Sequence, residues 1–158
     1  GSSIGISKVK DPAELGAAVS QARAYSPVVI AEQGIAGEEY TASVLGDDVF
    51  PLVRIVPPGE FYDYDAKYVS DDTRYDCPTG LPDDLEQALY EQALAAFRAL
   101  DVSGWGRVDF LLDEQQRPWF MEVNTTPGMT SHSLMPKAAA QVGIDFDTLV
   151  WRILETSL

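Results

Sequence analysis

The stretches GWGRVDFLLD (104–113) and RPWFMEV (117–123) flank a polar turn, Glu114-Gln115-Gln116. Two β-prone runs joined by a short polar turn read as an antiparallel hairpin. Within it Arg107 and Asp109 are two positions apart, as are Glu122 and Asn124, and strand residues so spaced share a face. The same phase sends Val108, Phe110, Met121 and Val123 to the opposite, apolar face. An arginine, two carboxylates and an amide then converge on one side. Mg²⁺ is a hard ion held by one or two carboxylates together with substrate phosphate oxygens, and Asp109, Glu122 and Asn124 supply that chemistry without histidine or thiolate. A solvated polar face on a two-sided hairpin has the same alternation, so spacing alone leaves both readings open.

Outward from this hairpin, DDLEQALYEQALAAFRAL (83–100) places Leu85, Ala88, Leu89, Ala93, Ala96, Phe97 and Leu100 on one helical face. Further upstream, EEYTASVLG and VFPLVRIV surround the turn signal Gly46-Asp47-Asp48, which predicts a second antiparallel hairpin over 38–56. Between them, 57–82 carries Pro, Gly, Asp and Tyr without a period. A connection of that length is expected to be a functional loop that covers a site. Near the start, Asp11-Pro12-Ala13-Glu14 has the cap, first-turn proline and N3 acid of a helix over roughly 11–24. The β-branched run VVIAEQ (28–33) reads as a short apolar strand before a turn at Ala36-Gly37. After the Gly/Pro/Thr loop at 124–131, two helices are predicted, roughly 133–142 ending at Gly143 and 145–157 starting at Asp145. Helices mixed with hairpins, rather than repeating βαβ units, give an α+β class with a largely antiparallel sheet.

The 158 residues are 46% hydrophobic, which suits one domain or two small ones; the prior is about 100–200 residues per domain. With 25 acidic against 11 basic residues the formal charge is −14, and such a field repels polyphosphate backbones. Nucleic acid is therefore not an expected partner. No apolar stretch approaches the roughly 18 residues of a membrane helix and GSSIGISKVK lacks the segments of a signal peptide, so a soluble protein is expected. The single cysteine, Cys77, has no partner for a disulfide within the chain, which suits a reducing cytoplasm. It reads as a loop residue, with catalysis as the alternative. The chain opens in a Gly/Ser loop followed by a strand with nothing to pair it, an opening expected of a piece cut from something longer.

Other segments carry candidate chemistry. NTTPGMTSHS (124–133) sets small and hydroxylated residues before a helix, where free N–H groups and the helix dipole attract an anion. An ordinary helix cap through Ser131 or Ser133 is the alternative. His132 reads either as a general base or as a satisfied loop residue. The opening GSSIG could cradle phosphate with its amides, although a Gly-Ser pair is also what a cleaved tag leaves. Lys67-Tyr68, within EFYDYDAKY, offers a cation and a phenol to an anionic centre or is an exposed loop tip. Glu32 and Glu39 bracket a turn, as contacts to an adenine amino group and a ribose would, or are solvated carboxylates.

In order, GSSIGISKV, AEQGIAGEEYT, FYDYDAKY, GWGRVDF and MEVNTTPGMTSHS resemble the D-alanine–D-alanine ligase family of the ATP-grasp superfamily across essentially the whole chain. The resemblance implies a partial ATP-grasp fold: residues 1–41 end the central ATP-binding domain, 42–158 form the C-terminal catalytic domain, and the N-terminal domain is absent. It implies a cytoplasmic enzyme of cell-wall peptidoglycan synthesis. There ATP phosphorylates one D-alanine and the amine of a second attacks the acyl phosphate. By motif, Asp109, Glu122 and Asn124 match the ligands of two Mg²⁺ ions, for which Mn²⁺ can substitute. Arg107 matches the arginine on the tetrahedral oxyanion, helped by the amide of Gly128. Ser133 and Leu134 match the site for the second substrate's carboxylate. Lys67 matches a phosphate-binding loop lysine, and Tyr68 a loop tyrosine bonded to the glycine-loop serine, here Ser2. Glu32, Gln33, Ile35 and Glu39 match the adenine and ribose contacts. The lysine–tyrosine pair implies a dipeptide product rather than the D-alanyl-D-lactate ester, and the family implies a homodimer for the full-length protein. Two alternatives stand beside this reading: an ATP-grasp carboxylate–amine ligase with another substrate, and a non-catalytic binding or folding module. The 158 residues alone are expected to be inactive.

Overall fold

The computed structural model describes residues 4–57, 73–130 and 133–157. The chain divides into two compact units, residues 1–35 with 57–73 and residues 36–56 with 74–158.

In the second unit, alternation of side chains builds one antiparallel sheet from β1 (Gly37–Leu45), β2 (Asp48–Val49), β3 (Val53–Val56), β4 (Arg74–Asp76), β5 (Trp105–Asp113) and β6 (Pro118–Asn124). The order is β4-β3-β1-β5-β6, with β2 paired to β1. β1 and β5 are aligned along their full length, from Gly37 opposite Asp113 to Leu45 opposite Trp105. Tyr40, Ala42, Val44, Val108, Phe110 and Leu112 face one way and form the core with Leu89, Ala93 and Phe97 of α2 (Asp83–Ala99). Each large side chain removed from water there contributes about 1.5–3 kcal/mol. The predicted helical face is thus correct except at its end, where Leu100 lies past the last turn and is exposed. On the other face Thr41, Ser43, Val53 and Ile55 are buried. There α3 (Leu134–Gln141), which buries Leu134, Met135, Ala138 and Ala139, packs over β1 and against α4 (Phe146–Glu155). The Lys137 ammonium lies 5.6 Å from the Tyr75 ring centre on this side.

The first predicted hairpin forms with a break. A two-residue turn, Gly46 and Asp47, joins β1 to β2, and Gly46 takes φ +62°, which only glycine adopts without strain. Pro51 then interrupts the ladder before β3 resumes pairing at Thr41–Val53. Within the stretch read as a functional loop, 74–76 instead pairs with β3 as an edge strand, Ile55 opposite Tyr75, and residues 58–72 lie outside the described residues. The β5–β6 hairpin forms as read, with one correction. Asp109 is opposite Glu122 and Phe110 opposite Phe120, so Met121 is an extra, bulged residue. The bulge reverses the phase, so that the Phe120 ring lies 5.6 Å from the Phe110 ring centre, and both Phe120 and Met121 remain exposed.

In the first unit, a 3₁₀ turn (Pro12–Glu14) leads into α1 (Leu15–Arg23). The Asp11 carboxylate accepts from the Ala13 N–H at 2.8 Å while the Glu14 carboxylate accepts from the Lys10 and Asp11 N–H groups, the reciprocal cap anticipated from sequence. Neither of the strands expected here forms: among the described residues of this unit no strand is present, and Ile6, Val28 and Ile30 are exposed. β-branched residues favour a pleated surface but do not create one without a partner ladder.

Candidate functional site

Asp109 sits on β5 between β1 and β6, only 4% exposed, and its two oxygens are fully engaged. Oδ1 accepts from the Thr41 hydroxyl at 2.6 Å and from Arg107 Nε at 2.8 Å. Oδ2 accepts from Arg107 Nη2 at 2.7 Å and from Asn124 Nδ2 at 2.9 Å. Arg107 thereby grips the carboxylate with two bonds from two positions away on the same strand. Asn124 reaches across from β6 and also donates to Glu122 Oε1 at 3.3 Å. The sequence-derived set Arg107, Asp109, Glu122 and Asn124 is therefore brought together on one face, with Asp109 buried, Arg107 and Asn124 half-buried and Glu122 exposed.

The electrostatics of this cluster are unusual. Register puts the carboxylates of Asp109 and Glu122 directly opposite each other, an arrangement that destabilises a ladder unless something positive lies between or beside them. Arg107 and the Asn124 amide meet that need here. The carboxylate oxygens of Asp109 and Glu122 are hard donors suited to Mg²⁺, and Asn124, whose Nδ2 is turned toward both of them, would offer its amide oxygen to an ion on turning over. Among the described residues no group of three or more His, Cys, Asp or Glu that could hold a metal ion converges.

β1 contributes two residues that sequence reasoning passed over. Thr41 and Ser43 lie opposite Asp109 and Arg107, and the Ser43 hydroxyl is buried without a hydrogen-bond partner. Both were hidden among β-prone residues, and only the register reveals them. Glu39, on the same face, is half-buried opposite Leu111 and Ile55. Gly106, beside Arg107, has no room for a side chain: a Cβ would come within 2.7 Å of the Phe97 ring and 2.9 Å of the Asn124 carbonyl oxygen.

After β6 the loop brings Gly128 next to Ser133, whose Oγ is 3.2 Å from where a Gly128 Cβ would lie. Ser133 occupies the cap position of α3 without capping it through its side chain, contrary to the simple cap reading. Its hydroxyl accepts instead from the Thr130 N–H at 2.9 Å and lies 3.0 Å from the Thr130 hydroxyl, which ties the loop to itself. Leu134 turns its side chain into the protein. In the first unit Glu32 and Gln33 are exposed and Ile35 half-buried, outside any regular element. Ser2, Lys67, Tyr68, Ser131 and His132 lie outside the described residues. Burial, with Glu86 adding to it, pushes the Cys77 thiol up, which disfavours a reactive thiolate. No helix among the described residues is long and apolar enough to cross a membrane.

Residues 1–155 match the family model described as D-ala D-ala ligase C-terminus. The chain is 55% identical over 154 residues to a D-alanine–D-alanine ligase of Alkalilimnicola ehrlichii, covering 98% of this chain and 50% of that protein. It is similar to the crystal structure of D-alanine–D-alanine ligase from Bacillus anthracis complexed with ATP, with TM-score 0.81, 34% identity and coverage of 94% of this chain and 47% of that one. It is similar also to the VanG D-Ala:D-Ser ligase of Enterococcus faecalis, with TM-score 0.88, 34% identity and coverage of 100% and 47%. The chain spans about half the length of the relatives it matches. A match over nearly every residue, with antiparallel sheet and flanking helices in common with those ligases, establishes that the chain belongs to the D-ala D-ala ligase C-terminus family.

Proposed function

We propose that this chain is the C-terminal part, comprising the end of the central domain and the catalytic domain, of an ATP-dependent ligase that joins two D-alanines for the cell wall. The observation that carries this reading is the pair of facing carboxylates, Asp109 and Glu122, bridged by Asn124 and set beside Arg107. A cross-strand acidic pair is costly in a sheet, and a cation held between the two carboxylates would offset that cost.

In this proposal Asp109, Glu122 and Asn124 hold Mg²⁺, which when bound neutralises and orients the phosphate oxygens of ATP. Arg107, its guanidinium plane fixed through Asp109, faces the negative charge that develops as the amine of one D-alanine attacks the activated carboxyl carbon of the other. The Gly128 amide adds a second donor to that oxyanion. Ser133 and the main chain at Leu134 receive the carboxylate of the second D-alanine, near the start of α3 where the helix dipole favours an anion. The resemblance by motif assigns Glu32, Gln33, Ile35 and Glu39 to the adenine and ribose, and Lys67, Tyr68 and Ser2 to the phosphates. The full-length protein acts as a cytoplasmic homodimer without nucleic acid or membrane partners.

The test is ADP release by the full-length protein with ATP, Mg²⁺ and D-alanine, with the product analysed. D-alanyl-D-alanine with D-alanine-dependent ADP release is expected. Preferential ligation to D-serine or D-lactate would overturn the dipeptide assignment. Glu122→Gln is expected to lower turnover most at limiting Mg²⁺, and unchanged turnover there would remove Glu122 from the metal set.

A further inference from the structure

We infer that Thr41 is the positioning residue of Asp109, fixing the metal-side carboxylate from the neighbouring strand. The inference rests on the proposed metal role of Asp109 and adds to it a residue outside the candidate ligand set.

The partners of Asp109 differ in how firmly they are held. The Arg107 side chain is long and 20% exposed, and Asn124 belongs to the end of β6. Thr41 is wholly buried on β1, between β3 and β5. Its branched Cβ leaves few rotamers, so the hydroxyl has little freedom to turn away. That hydroxyl has one proton and two acceptors within reach, Asp109 Oδ1 at 2.6 Å and the Val108 carbonyl at 3.4 Å. The short, charge-assisted contact takes the proton.

The direction of this bond matters. Thr41 holds Oδ1, while Oδ2 shares the Asn124 amide with Glu122 Oε1. Holding one oxygen from the β1 side thus presents the other toward Glu122. A cation shared by the two carboxylates requires that presentation, and it competes with Arg107 and Asn124 for Oδ2 but not with Thr41 for Oδ1. A neutral donor is the suitable partner here, because it orients the carboxylate without cancelling the charge that attracts the ion. Partners of this kind, behind a ligand, typically contribute about 10–100-fold in metal affinity.

The experiment is Mn²⁺ binding to the full-length ligase at saturating ADP, read by electron paramagnetic resonance. Four variants are compared: Thr41→Val, Thr41→Ala, Thr41→Ser and Asp109→Asn. Thr41→Val and Thr41→Ala are expected to weaken Mn²⁺ binding about 10–100-fold, with Thr41→Ser close to the native protein. If the valine variant does not fold, the alanine and serine pair decides. Equal Mn²⁺ affinity in the alanine and serine variants, with binding lost in Asp109→Asn, would overturn the role of Thr41 while leaving the metal reading intact. Unaltered binding in Asp109→Asn would overturn the metal reading and this inference with it.

Discussion

Asp113 shows how strongly one side chain can be conditioned by a turn. It ends β5, and its carboxylate accepts from the Trp119 indole N–H at 2.9 Å, from the Gln115 and Arg117 amides and from the Arg117 guanidinium. The indole bond first, and then these others, hold its carboxyl down at about 2. A folded-state value below the unfolded one stabilises the fold above the ordinary value of 3.8, and that contribution is lost as pH falls toward 2. Asp113→Asn is therefore expected to be less stable than the native chain at neutral pH, with the gap closing between about pH 4 and pH 2. Urea unfolding of both proteins at stepped pH checks this, and a pH-independent gap would assign the loss to hydrogen-bond geometry alone. At this scale Arg107, Asp109, Glu122 and Asn124 were legible from spacing. Thr41 was not, because a threonine in a strand looks like β propensity until its register partner is known.

At the scale of elements, α2 and both hairpins were readable because period, turn residues and length agree. What the pattern concealed was the bulge at Met121, since alternation assumes an unbroken count and one extra residue reverses every assignment before it. Glu122 and Asn124 nevertheless kept their predicted face because both lie on the same side of the bulge as the register with Arg107 and Asp109. The short run at 28–33 failed for the opposite reason, having propensity without a ladder. The contact between α2 and β5 supplies a test. Gly106→Ala would drive a methyl into the Phe97 ring and the Asn124 carbonyl, so a loss of about 1–3 kcal/mol in denaturant stability is expected. Adding Phe97→Leu should recover only part of the specific clash, because the Asn124 backbone remains in the way.

For the molecule as a whole, the chain spans about half the length of the relatives it matches, and the proposed reaction depends on several groups being positioned together. Misplacing reacting groups by about 1 Å already costs about 100-fold in rate. Residues 1–158 alone are accordingly expected to release no ADP above background with ATP, Mg²⁺ and D-alanine, whereas the full-length protein turns over. Rates for the short chain near those of the long one would refute this. Family and class were legible at this scale because motifs recur in order along the chain. The arrangement within the site was less so, because hydrogen bonding among Asp109, Arg107, Thr41 and Asn124 depends on three strands meeting. That meeting has a consequence for assembly. Arg107 serves Asp109 as a built-in counter-ion, so the sheet can close with one carboxylate of its acidic pair already paired. Under the proposed metal role, folding and cation loading would be separable events, the ion entering by exchange with a tethered charge rather than by rescuing an unfinished fold.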